Sequence, residues 1–250
     1  FNPWKLKKIN DLGDVPLPEA NNNERCIEQI TDFFSTIADA NKPVVSIGGD
    51  HSITGGILQG LAKENSPLTK GQKVSLLHID AHTDTYNQLD HFLGAKKSAA
   101  HWGSYLVKQG HVDASTSMQI GLRGNPRTLD WLQPSYDLGY NVITMAEFKK
   151  KGIESVTQEI LEKIGDNPLY ITFDLDSLDS SIAPAVSNLE PSFTGFNMEE
   201  AKALIQCVKS KNVIGGDVVC LMPTKDSPNN ITSMVAASIM FEIISVIAFN

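Results

Sequence analysis

The sequence predicts an α/β protein, a parallel sheet covered by helices on both faces. Three observations predict it. Strand-like apolar runs alternate with helix-period segments, and that βαβα rhythm lays crossover helices over a parallel sheet. The 250 residues, 41% hydrophobic, suffice for one substantial core. Without an internal repeat, low-complexity stretch or Pro/Gly-rich linker, residues 1–250 are expected to form a single domain. Finally, three strand-like runs end abruptly in acidic or imidazole groups, and the carboxyl ends of parallel strands share one edge, where ligands bind.

The elements follow in order. Val44–Ile47 is the first strand, running into Gly48-Gly49-Asp50-His51-Ser52, and helical spacing follows over Ile53–Glu64. Lys73–Ile79 is the second strand and delivers Asp80-Ala81-His82-Thr83-Asp84. A helix over Ala99–Gln109, strands at Ser117–Leu122 and Tyr140–Thr144, and a helix over Ile153–Ile164 come next. Leu169–Phe173 is a strand closing on Asp174-Leu175-Asp176, with Asp179 three residues on. Asn197 caps the helix Met198–Lys209, whose first turn holds Glu199 and Glu200. Val213–Leu221 is the last strand. The segment Ile231 to Ala248 is apolar but contains Ser233, Ser238, Glu242 and Ser245, so it reads as a buried helix rather than a membrane span.

Composition excludes several functions. A formal net charge of −8 argues against nucleic acid as a partner. Cys26, Cys207 and Cys220 are odd in number and widely spaced, which points to a reducing compartment, the cytoplasm, and to no disulfide framework. The chain opens on no secretory pattern and predicts no membrane partner.

Asp80, His82 and Asp84 occupy every second position, so side chains at the end of a strand would project to one side. Clustered carboxylates repel and desolvate badly without a cation. With the other two strand ends, the candidate metal ligands are His51, Asp80, His82, Asp84, Asp174 and Asp176. Oxygen-rich ligation with two imidazoles suits Mn²⁺, with Co²⁺ or Ni²⁺ as alternates. Asp50 and Asp179 are expected to tie their own turns to backbone N–H groups.

Gly-Gly-Asp-His-Ser, Asp-Ala-His-Thr-Asp and Phe-Asp-Leu-Asp-Ser-Leu-Asp, in this order, resemble the signature of the ureohydrolase (arginase and agmatinase) family. The resemblance covers about residues 44 to 248 and includes Gln119-Ile120-Gly121-Leu122-Arg123-Gly124. It implies a three-layer α/β/α sandwich with a two-manganese centre at the sheet edge. One ion would take His51, Asp80, Asp84 and Asp174, and the other His82, Asp80, Asp174 and Asp176, with Asp80 and Asp174 bridging. Four carboxylates then balance two divalent ions. The implied activity is hydrolysis of a guanidino group to urea and a primary amine. Asp84 would orient the attacking water, and His101 would carry the proton to the leaving amine, with His91 as its rival. Members of this family are commonly trimers or hexamers, so a homo-oligomer is an expectation of the resemblance.

The chain also departs from the family. Cys220 stands where a glutamate usually clamps the guanidinium, and a neutral thiol cannot make that bidentate contact. Glu190 and Asp90 are the candidate substitutes. A Trp follows His101 where the family has Gly, the loop after Asp179 is remodelled, and the family's opening strand is missing, which is expected to leave the cleft open. Gly124 stands where arginases carry an Asp that helps bind the α-amino group. Together these favour an arginine-containing peptide as substrate (a peptide arginase), ahead of agmatine or guanidinobutyrate. Hydrolysis of a formimino or acetyl-amine C–N bond and a catalytically silent metal-binding role are the remaining alternatives.

Overall fold

A computed structural model describes residues 2–87, 94–124, 126, 128–191 and 194–250. Among the described residues, six strands make one sheet: β1 (Val44–Ile47), β2 (Ser75–Ile79), β3 (Met118–Leu122), β4 (Asn141–Thr144), β5 (Leu169–Asp174) and β6 (Val213–Val219). Their order is β1-β6-β5-β2-β3-β4, and every pairing is parallel. β2, β3, β5 and β6 are buried along their whole length. That explains their near-continuous apolar character, because a parallel sheet is covered on both faces.

Eight helices among the described residues supply the two outer layers: α1 (Asn23–Asp39), α2 (Ser52–Leu61), α3 (Trp102–Lys108), α4 (Gln133–Leu138), α5 (Met145–Lys151), α6 (Ile153–Ile164), α7 (Met198–Gln206) and α8 (Ile231–Phe249). Strand side chains alternate between the layers. Leu76, Tyr170 and Ile214 pack with α1, α2 and α3 through Ile30, Phe34, Ile57, Leu58, Trp102 and Leu106. Leu77, Ile79, Ile171 and Phe173 pack on the opposite face with Phe148, Ile160, Leu204 and Ile239, from α5 to α8. The architecture is therefore the α/β/α sandwich, as expected.

The predicted strands and helices are all present, mostly one to three residues shorter. α1, α4 and α5 are additional. α5 starts on a reciprocal capping box between Thr144 and Glu147, and α7 on one between Asn197 and Glu200. α8 is long and apolar enough to cross a membrane by length and composition. In the fold it packs against β6, β1 and α7, burying Val235, Ala236, Ile239, Ile243 and Val246.

The topology positions the site. β2 and β5 are neighbours, yet the helices that follow them, α3 and α7, lie on opposite faces. A crevice opens at the carboxyl end of such a pair. β6 sits between β5 and β1, so the ends of β1, β6, β5 and β2 line up along one edge.

Candidate metal centre

Strand alternation does not bring the second motif together, contrary to the expectation. β2 ends at Ile79, so Asp80, His82 and Asp84 lie in the loop beyond it. Asp80 is held by its own backbone, its Oδ1 accepting the His82 N–H at 2.7 Å. Asp84 takes a left-handed conformation, φ 51°, a costly one for a non-glycine residue and one that clusters at functional sites. That turn sends Asp84 back toward His51.

His51 follows β1 at the start of α2 and is 1% exposed. Its Nδ1 lies 3.1 Å from Asp80 Oδ2, 3.1 Å from Asp84 Oδ2 and 3.2 Å from Asp174 Oδ2. None of these contacts is aligned as a hydrogen bond, so Nδ1 is buried without one. The other ring nitrogen fixes the tautomer. His51 Nε2 is 2.9 Å from Thr172 Oγ1, and the Thr172 hydroxyl gives its only proton to Asp217 Oδ1 at 2.6 Å. Thr172 must therefore accept from His51 Nε2–H, which leaves the Nδ1 lone pair facing three carboxylates. Asp217 is itself fixed by Thr54 and Tyr170 hydroxyls, each 2.8 Å from Oδ2. Burial opposes charge on His51, but Asp174, Asp80 and Asp84 outweigh it and hold the imidazole well above its usual range. A cation at Nδ1 would meet the same three carboxylates.

A second group forms around His82. Its Nδ1 is 3.1 Å from Asp176 Oδ2 and 3.4 Å from Asp80 Oδ1. Asp176 Oδ2 is buried without a hydrogen bond. Burial, then the charges of Asp174 and Asp80, push the Asp176 carboxyl well above the ordinary range. Asp80 faces both groups, Oδ2 toward His51 and Oδ1 toward His82. Burial would raise its carboxyl too, but His51, His78 and His82 hold it well below the usual range. Asp174 presents one oxygen to the first group and ties the third motif with the other. Its Oδ2 faces His51, while its Oδ1 accepts the Asp176 N–H at 2.8 Å.

These donors fit divalent ions. Two orphaned, buried polar atoms face clustered carboxylates, and each imidazole has its second nitrogen engaged elsewhere, the pattern of oriented metal ligands. For His82 the engaged partner is Glu190, whose Oε1 lies 3.1 Å from Nε2. Glu190 thus contacts the nitrogen of His82 that points away from Asp80 and Asp176. It also fills the wall at Gly124, where an added Cβ would lie 2.3 Å from the Glu190 carboxylate.

Sequence reasoning missed several participants. His78 is fully buried, with Nε2 2.8 Å from Asp80 Oδ2. The Gln119 amide donates to Thr83 O at 2.6 Å and to His78 Nδ1 at 3.0 Å, so His78 carries its proton on Nε2 and donates to Asp80. Trp102 lies with its ring centroid 4.9 Å from those of both His51 and His78, and its Nε1 donates to Asp84 Oδ2 at 2.8 Å. The Arg123 guanidinium ties down the third motif by donating to the carbonyls of Asp176, Ser177 and Leu178 at 2.7–3.2 Å. The signal for Trp102 was its departure from the family pattern; contacts between distant segments left none for the others.

His101 is buried at the head of α3, with Nδ1 2.7 Å from Ser98 Oγ. Among the described residues, the ligand-type atoms lying within 4.8 Å of one another do not include it. Asp90 and His91 fall outside the described residues. Asp50 accepts the Ser52 N–H, and Asp179 accepts from Ser181 and Gly195, each tying its own turn.

Known proteins resemble this chain in sequence and in fold. The Arginase family profile matches residues 1–245. The mitochondrial guanidino acid hydrolase of Homo sapiens is 33% identical over 242 residues, 97% of this chain and 65% of that protein. The mitochondrial agmatinase of Gallus gallus is 32% identical over 245 residues, 98% of this chain and 68% of the other. The chain thus spans about two thirds of the length of these relatives. Proclavaminate amidino hydrolase from Streptomyces clavuligerus superposes with a TM-score of 0.85 at 28% identity, covering 99% of this chain and 77% of that one. With the sheet order, the six-residue His/Asp cluster and these matches in agreement, the chain belongs to the arginase family.

Proposed function

We propose that the chain is a dinuclear metal amidinohydrolase that converts a small guanidino compound and water to urea and a primary amine. The observation that carries the reading is the His51 Nδ1 lone pair, aimed at three buried carboxylates and locked there through Thr172 and Asp217. His51, Asp80, Asp84 and Asp174 would hold one ion, and His82, Asp80, Asp174 and Asp176 the other. Oxygen-rich donors favour Mn²⁺, with Co²⁺ or Ni²⁺ as alternates, and such a pair supplies Lewis acidity and a water of lowered pKa for attack on the guanidinium carbon.

The chain's own residues do the positioning. Trp102 fixes Asp84 Oδ2, His78 fixes Asp80, and Glu190 sets the His82 ring. Their carboxylates give a cationic guanidinium an anionic floor. His101 is the group we assign to return a proton to the departing amine.

The substrate class follows the relatives, whose names specify guanidino acid hydrolase, agmatinase and guanidinopropionase activities. The peptide expectation came from Gly124, the altered loop after Asp179 and the open cleft, and these names do not support it. Urea release by Mn²⁺-loaded protein, with a chelated control, tests the reading. The panel holds guanidinopropionate, guanidinobutyrate, agmatine, free arginine and an arginyl peptide. Chelator-sensitive urea from a small guanidine is expected. Formamide or acetate from formimino or acetyl-amine substrates instead of urea would replace the reading, as would urea from the peptide alone.

A further inference from the structure

Cys220 belongs to the cluster among the described residues, yet the proposed centre gives it no role. The ligand-type atoms of Cys220, His51 and Asp174 all lie within 4.8 Å of one another, and all three residues are buried. The topology puts the thiol there. β6 is flanked by β5 and β1, and its last residue, Val219, pairs with Asp174. Cys220 is the next residue along. It adopts φ 66°, left-handed for a non-glycine, and its N–H donates to Gly49 O at 2.6 Å, in the loop that carries His51. The strained turn and this tether hold Cys220 between the two ligand-bearing loops rather than on the sheet face.

The second observation is independent of the cysteine. His51 Nδ1 is buried, has no hydrogen bond and faces into the same space. The thiol sulfur lies within 4.8 Å of the ligand-type atom His51 offers there.

We infer that Cys220 Sγ ligates the ion held by His51, making that half of the centre a mixed oxygen, nitrogen and sulfur site that favours thiophilic divalent ions over Mn²⁺. The inference rests on the metal reading above and deepens it. Ligation sends the thiol proton to solvent and forms one metal–sulfur bond. Thiolate is a soft ligand that selects Zn²⁺, Cd²⁺ and Co²⁺ over Mn²⁺, whereas carboxylates do not discriminate in that direction.

The test is the absorption spectrum of the Co²⁺-loaded chain beside its Cys220→Ser variant, with bound cobalt measured in both. The native chain is expected to show an intense thiolate-to-cobalt charge-transfer band in the near ultraviolet. Cys220→Ser should lose that band while keeping weaker ligand-field bands, and Cys26→Ser and Cys207→Ser should retain it. Cd²⁺ should also displace Mn²⁺ about 10–100-fold less readily from Cys220→Ser than from the native chain. If Cys220→Ser fails to fold, the native spectrum alone decides. Ligand-field bands without a charge-transfer band in the native chain would overturn the inference and leave the metal centre standing. A native chain that binds no Co²⁺ would overturn both.

Discussion

At the scale of single residues, the site is organised by what lies behind its ligands. Thr172 has one proton and gives it to Asp217, so it can only accept from His51. Thr172→Val should leave the fold intact and weaken divalent metal binding by about 10–100-fold, read by competition with a chelating dye. An unchanged affinity would show that the tautomer is set elsewhere. The Trp102 indole donates to Asp84. Trp102→Phe keeps most of the apolar bulk and removes the donor, so its main expected effect is on turnover rather than on melting temperature. The residue types of the ligand set were legible in the sequence because Asp and His stood at three strand ends. Their partners were not, because the Thr172, Asp217, Glu190 and Trp102 contacts join segments 18 to 163 residues apart.

At the scale of elements, two helix features carry expectations of their own. α1 and α2 pack closely because Gly56 and Gly60 offer no side chain at the crossing. A Cβ on Gly60 would lie 2.6 Å from Thr31 O and 2.8 Å from Phe34 Cβ. Gly60→Ala gains helix propensity but overpacks against backbone, and should destabilise by about 1–3 kcal/mol in chemical denaturation. The other feature is the start of α8. Asp226 accepts from Ser227 N, Thr232 N, Ser233 N and Ser233 Oγ. Desolvation opposes its charge, but these hydrogen bonds hold the carboxyl down at about 2, from an ordinary 3.8. Its contribution to stability is therefore fully present above about 4 and is lost as pH falls through about 2. Asp226→Asn should narrow the gap in melting temperature between neutral pH and pH 2; an unchanged gap would count against this cap. α6 was legible to the residue, Ile153–Ile164, because its apolar spacing is regular and bounded by glycines. The six- and seven-residue α4 and α5 were not, since one or two turns carry too little period to read.

At the scale of the whole molecule, the sheet edge gathers groups whose like charges repel in the absence of cations. Folding and metal binding are therefore linked. Ions that bind the native chain alone stabilise it by about 2.7 kcal/mol per site at a hundred times the dissociation constant. In the proposed centre Asp80 would join two ions. This bridging is tested most directly by titrating the metal-free chain with Mn²⁺ and following stoichiometry and paramagnetic resonance together. Two equivalents per chain are expected, with the signal of an exchange-coupled pair that Asp80→Asn abolishes. A single equivalent, or two that never couple, would contradict it.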